Sequence, residues 1–143
     1  FKITFMATIN LALNVQVVGG PQALISQPIS VEAYDKIEVT VKPGETLNVS
    51  VQPGGVGQVN FLLIKSSLAD EKLSYVVNDG AAINFPASDR IKLDRAFHLY
   101  LGTGGVSVFG IAPKVIEFKN DYAAGTTNKD AAIEILVGRD ATP

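Results

Sequence analysis

Apolar and polar residues alternate with a period of two along much of this 143-residue chain. The clearest run is 7–17, where Ile9, Leu11, Leu13, Val15 and Val17 alternate with Thr8, Asn10, Ala12, Asn14 and Gln16. Successive side chains of a strand point to opposite faces, so this run predicts a strand with one apolar and one amide-rich face. Gly19, Gly20 and Pro21 end it. A short strand is expected at 29–31, then two more at 36–41 and 46–51 around Lys42, Pro43, Gly44 and Glu45. Pro presets φ and Gly accepts positive φ, so Pro43 and Gly44 suit the centre of a type II turn.

Parity restricts how those two strands relate. Ile37, Val39 and Val41 are the apolar set of one, and Leu47, Val49 and Val51 that of the other. A two-residue hairpin loop would pair Val41 with Thr46 and send the two sets to opposite faces. A three-residue loop keeps the sets together; otherwise the strands lie in different sheets and the turn is a sandwich corner. The simple two-residue hairpin is excluded.

Pro53, Gly54 and Gly55 break the chain again before a strand at 59–66. Ser67 and Asp70 have the spacing of a capping box, which predicts one helical turn at 68–72. Strands follow at 73–77, 82–85 and 91–93, with Asn78, Asp79 and Gly80 as a turn and Pro86 as a breaker. The segments 96–101 and 106–112 flank Gly102, Thr103, Gly104 and Gly105. A four-residue loop there would pair Leu101 with Val106 and Leu99 with Val108 as one aliphatic face. His98, Tyr100, Ser107, Phe109 and Ile111 would form the other. Both faces of such a hairpin are apolar enough to need cover. The last strands are expected at 115–118 and 132–137, separated by a Gly-, Thr- and Asn-rich loop at 120–129.

The sum is about nine to eleven short strands, turn signals every 8–12 residues and at most one short helical turn. That pattern is an all-β antiparallel sandwich or jelly roll, and 143 residues suit one domain over 1–143. Met6, followed by Ala7 and Thr8, looks like a natural start, so residues 1–5 read as a leftover ahead of it; processing from a longer precursor is the competing reading.

Composition narrows the function. Hydrophobic residues make up 47% of the chain and charged ones 18%, against about 25% in a typical soluble domain. A thinly charged, aliphatic surface is often covered by other subunits. Trp is absent, so Val, Ile, Leu and Ala must fill the core. A net charge of −2 with scattered Lys and Arg argues against nucleic-acid binding. No run reaches the roughly 18–20 apolar residues of a membrane helix, and the N-terminus lacks the basic and apolar regions of a signal peptide. Membrane insertion is not expected, and no compartment is indicated.

Candidate chemistry is sparse. Zero Cys removes disulfides, thiolate metal sites and Cys nucleophiles together. His98 is the one imidazole, so any triad or proton shuttle must use it, yet no Gly-x-Ser-x-Gly elbow accompanies it. The bland reading is a half-buried strand histidine beside Tyr100 and Phe109. The glycines at 102–105 lack the following helix that a phosphate loop requires. Asp70, Glu71, Asp79, Asp89, Asp94, Asp121 and Asp130 sit near turns, where Asp is favoured for its own backbone bonding, and no Asp-x-Asp-x-Asp run offers Ca²⁺ a cage. Asn48 and Ser50 form a glycosylation sequon on the outward parity of a strand.

No catalytic residue, metal site or cofactor is therefore expected. The expected function is a non-catalytic structural or assembly module that forms a homo-oligomer, as in a shell, virion, appendage or scaffold. His98, Tyr100, Phe109 and Ile111 are the interface candidates, covered by a neighbouring subunit or by the chain's own N-terminal strand or 120–129 loop. A sandwich that binds carbohydrate or a small apolar ligand is the alternative, with Tyr34, Tyr75, Tyr100 and Tyr122 as the stacking residues it would use. An enzyme ranks third.

Overall fold

The computed structural model describes residues 6–51, 58–78 and 89–140. Among them, ten strands account for most of the chain: β1 (Ala7–Gln16), β2 (Gln22–Val31), β3 (Ala33–Val41), β4 (Thr46–Ser50), β5 (Val59–Ser66), β6 (Leu73–Asn78), β7 (Ile91–Lys92), β8 (Phe97–Leu101), β9 (Val115–Asn120) and β10 (Ala131–Arg139). The period-two pattern marks most of them. Ile133, Ile135 and Val137 of β10 point inward, while Ala132 and Glu134 lie on the opposite face.

Strands β3 to β10 nest like one long folded ribbon. β3 pairs with β10, β4 with β9, β5 with β8 and β6 with β7. The ribbon then rolls, so that β10 also pairs with β5 and β9 with β6. The product is two antiparallel sheets, β3-β10-β5-β8 and β4-β9-β6-β7, in a jelly-roll wrapping. Leu62, Ile64, Ile133, Ile135 and Val137 of the first sheet belong to one buried cluster with Leu73, Tyr75, Val77, Ile116 and Phe118 of the second.

The corner at 42–45 is one of the two solutions that the parity of its flanking strands allows. β3 lies in the first sheet and β4 in the second, so the chain turns between layers. Gly44 has φ +80°, and a Cβ there would meet Ala124 Cβ at 3.1 Å. Asn120 pins this corner from beneath. It is buried; its Nδ2 donates to the Val41 and Lys129 carbonyls at 3.2 and 2.8 Å, and its Oδ1 accepts from the Tyr122 amide.

The structure departs from the sequence pattern at three places. β2 runs over ten residues, not three, because β1 pairs with it along its whole length, from Ala7↔Val31 to Gln16↔Gln22. Pro28 is tolerated there since a two-stranded ribbon has open edges. The helical turn expected at 68–72 is instead a tight turn in which Asp70 Oδ1 accepts from the Lys72 amide and the Asp70 carbonyl accepts from the Leu73 amide. Ser67 Oγ, expected to cap that turn, accepts from the Ala132 amide at 2.9 Å.

The third departure is the hairpin expected over 96–112. Its first strand is β8, but the second does not form. Gly102–Val106 coils into a single helical turn, α1, and Ser107–Phe109 continues as a 3-10 turn. Gly102 and Gly110, at φ +75° and +69°, bracket this coil, and Ser107 Oγ donates to the Gly104 carbonyl. Val106 plugs the end of the sandwich while Val108, its supposed strand-mate, is exposed. The strand expected at 82–85 and the breaks at 53–55 and 79–80 lie outside the described residues.

β1 and β2 form a separate two-stranded arm that crosses the outer face of the first sheet at its base. Gly138 makes this approach possible. A Cβ at Gly138 would meet Val31 Cγ1 at 2.9 Å, Ile9 Cδ1 at 3.0 Å and Phe61 Cβ at 3.3 Å. Val31 and Phe61 are both fully buried at this contact. Gly138→Val should therefore lift the arm from the sheet, costing about 1–3 kcal/mol as an overpacked site. Urea unfolding should show the loss and limited proteolysis should cut first within 7–31; wild-type stability and an uncut arm would refute this role for Gly138.

Candidate functional site

A polar cluster in the sandwich interior spans the two sheets. Tyr75, in β6, is wholly buried, and its ring tilts against Phe118 with centroids 6.0 Å apart. Its hydroxyl reaches across to β8, 2.7 Å from His98 Nδ1 and 2.5 Å from Tyr100 Oη. One proton arrangement satisfies all three groups: Tyr100 donates to Tyr75, Tyr75 donates to Nδ1, and the proton of the imidazole sits on Nε2. That nitrogen faces Asp94 Oδ1 at 3.9 Å, beyond hydrogen-bond range.

Asp94, His98 and Tyr75 thus line up in the order of a relay toward a hydroxyl. The electrostatics oppose activation of that hydroxyl. Burial, with the Tyr100 hydroxyl beside it, pushes the Tyr75 phenol far above its usual value near 10, so its proton is held rather than released. A nucleophile needs the opposite shift and a path to substrate, and Tyr75 has no exposed surface.

These contacts place the four residues expected at an interface. His98 and Tyr100 face inward toward the second sheet, and Leu99, expected in the core, faces outward. Tyr100 stacks on Phe109 with ring centroids 4.6 Å apart, and both pack against the buried core. Ile111 lines a small pocket at the end of the sandwich with Val59, Val106 and Pro113. The four do not form one strand face, because residues 106–112 do not form the strand on which Phe109 and Ile111 would share His98's side.

Two other charged clusters draw attention. Arg90 lies across the second sheet, its Nη1 2.5 Å from Glu117 Oε1 and its Nε donating to Ser74 Oγ at 2.8 Å. Both side chains of the pair are nearly fully buried. On the surface, Tyr122 donates its hydroxyl to Asp70, with Lys72 and Lys129 ammonium groups 5.3 and 4.9 Å from its ring centroid. That hydroxyl, and after it the Lys72 amide, lower the Asp70 pKa, while Asp70 in turn raises that of Tyr122. Both sets of contacts are internally satisfied. Among the described residues, no three acidic or histidine side chains gather closely enough to hold a metal ion. Of the four tyrosines, Tyr34 alone is largely exposed.

The feature that composition and periodicity missed is the arm. Residues 6–31 contain no Asp, Glu, Lys, Arg or His, although the chain carries 26 charged residues elsewhere. One arm face presents Ile9, Leu11, Leu13 and Val15 with Ala23, Ile25, Gln27, Ile29 and Val31, while Leu24 lies on the other face opposite Asn14. Its base is packed, but its far half is not: Val18 is 99% and Leu24 73% exposed, and Val15, Val17 and Ile25 are exposed as well. Where the arm leaves the body, Leu11 and Leu13 face Phe61, Leu63, Phe97 and Leu99 across an open apolar cleft, with Lys65 at its rim. Lys65 is held there by Glu134 of the neighbouring strand at 3.8 Å. A count of charges by segment, rather than over the whole chain, would have shown the arm.

No family model, curated protein or solved structure matches this chain. Among the described residues, no helix is long and apolar enough to cross a membrane.

The Tyr75 cluster makes a testable statement about stability. The folded-state pKa of Tyr75 is raised above its unfolded value, so its contribution is complete below about pH 10 and is lost as the pH rises past it. Tyr75→Phe should cost about 1–3 kcal/mol at neutral pH, since His98 and Tyr100 lose a buried partner. It should also flatten the loss of stability above about pH 10. Urea titrations at neutral and alkaline pH test both; equal alkaline sensitivity in the variant would refute the assignment.

Proposed function

We propose that this protein is a non-catalytic structural module that assembles with copies of itself. The observation that carries this reading is the charge-free arm, whose far half leaves apolar side chains in water. Jelly rolls serve capsid subunits and lectin domains alike, so architecture does not choose between assembly and ligand binding. The arm favours assembly. Contiguous exposed apolar surface marks interaction sites, and an isolated two-stranded ribbon is marginally stable without cover.

The interior supports the same reading. The one imidazole is spent on joining the sheets, and the hydroxyl it meets keeps its proton. A sugar-binding sandwich would offer aromatic faces to solvent, whereas Tyr75 is buried, Tyr100 packs at a tilt against Phe109, and of the tyrosines Tyr34 alone is largely exposed. A small apolar ligand is the second reading, favoured by the cleft between Leu13 and Leu99.

Light scattering at micromolar concentration should give a mass well above that of one chain. Replacing Val18 and Leu24 by Asp should yield a smaller species with unchanged thermal unfolding, because exposed substitutions alter stability by about 0.5 kcal/mol or less. A wild-type chain that is a monodisperse monomer would remove the proposal.

A further inference from the structure

From the placement of the arm tip and the cleft we infer that copies of this chain join head to tail, the tip of one arm seating in the apolar cleft of the next copy. This rests on the self-association proposed above and names its surfaces. The donor is the turn end of the arm, with Val15, Val17, Val18 and Leu24 exposed. The acceptor is the cleft walled by Leu13, Phe61, Leu63, Phe97 and Leu99.

Three observations support the pairing. First, tip and cleft match in chemistry. The tip has no ionisable side chain, so it enters an apolar site without stranding a charge. The cleft's Lys65 already has Glu134 and asks for no acidic partner.

Second, the two surfaces belong to one chain but cannot meet within it. Leu13 is part of the cleft, and Val18 lies five residues further along an arm whose ladder is unbroken from Ala7↔Val31 to Gln16↔Gln22. At roughly 3.3 Å per residue the tip stands about 16 Å beyond the cleft. Folding it back would break the ladder. A tip that seats in the cleft with its ladder intact must therefore come from another copy.

Third, a lipid surface is the poorer occupant of the tip. A two-stranded ribbon has two open edges, whose unpaired amides and carbonyls are costly in hydrocarbon. The arm's second face also carries Asn10, Asn14, Gln16 and Gln22. A protein cleft can take Val18 and Leu24 at the turn end and leave those amides at its rim in water.

Each copy in this arrangement gives one tip and receives one. Such heterologous contacts close into rings or continue as filaments. Complementation separates this from a symmetric contact. Val18→Asp with Leu24→Asp destroys the tip and spares the cleft. Phe97→Asp, at a half-exposed position, destroys the cleft and spares the tip.

Each variant alone should be a folded monomer by light scattering. An equimolar mixture should form one-to-one dimers, through the one intact tip and one intact cleft that remain, and should grow no further. The chain has no cysteine, so Val18→Cys and Phe97→Cys provide an independent readout. Mixed and mildly oxidised, they should crosslink, while each alone should not.

A wild-type assembly with no complementation and no mixed crosslink would overturn the seat and leave self-association standing. Tip-to-tip crosslinking of Val18→Cys alone would do the same in favour of paired arms. A monomeric wild type would remove the underlying proposal. Co-sedimentation of the wild type with neutral phosphatidylcholine vesicles, lost on Val18→Asp, would give the tip to a membrane surface and overturn the inference.

Discussion

Two four-stranded sheets meet through a layer of aliphatic side chains, and every other contact in the molecule is arranged around that layer. Ile64, Ile133 and Ile135 on one side and Leu73, Ile116 and Phe118 on the other are fully excluded from water. At about 1.5–3 kcal/mol for each such side chain, their burial outweighs any single polar contact the fold makes. The Arg90–Glu117 pair illustrates the difference. Its mutual attraction is largely offset by the cost of removing two charges from water, so it adds little net stability even at 2.5 Å. Losing either partner would be another matter, since the remaining charge would be buried alone.

The aliphatic layer also accounts for the position of the polar cluster. A sandwich with no Trp fills its interior with small branched residues and leaves few aromatics to span the gap between sheets. Tyr75 spans it, and a buried phenol needs a partner for its hydroxyl. His98 and Tyr100 supply two. His98, Tyr75 and Tyr100 are thus bound into the cross-sheet contact, where a satisfied network specifies how the sheets face each other.

The arm breaks the rule that governs the rest of the chain. Within the body, the inner apolar face of each sheet finds the other sheet. In the arm, the same alternation produces an apolar face that the body covers only near Gly138 and Phe61. The missing side chain at Gly138 allows Ile9 and Val31 to descend onto the sheet, and the exposed residues begin where that contact ends. A segment with no charge along 26 residues, held at one end and bare at the other, is incomplete as a solitary object. That imbalance is the observation behind the proposed self-association.

Local pattern alone determined a good deal. Alternation located the strands at 59–66 and 73–77 to within a residue, because side-chain direction in a strand is a local property. Parity across Pro43 and Gly44 excluded a two-residue hairpin, and a sandwich corner was one of the two solutions it left. The all-β sandwich class followed from the number and spacing of such runs. Tertiary structure decided what alternation cannot express. The stretch 106–112 has the composition of a strand, and β8 stands at an open sheet edge beside it; the glycines coil there instead, and Val106 is buried at the sandwich end. The same outcome reversed the faces of β8, placing His98 and Tyr100 inside and Leu99 outside. A period of two says that residues alternate between two faces. Which face is the inner one depends on the partner sheet, and that partner is brought up by residues distant in the chain.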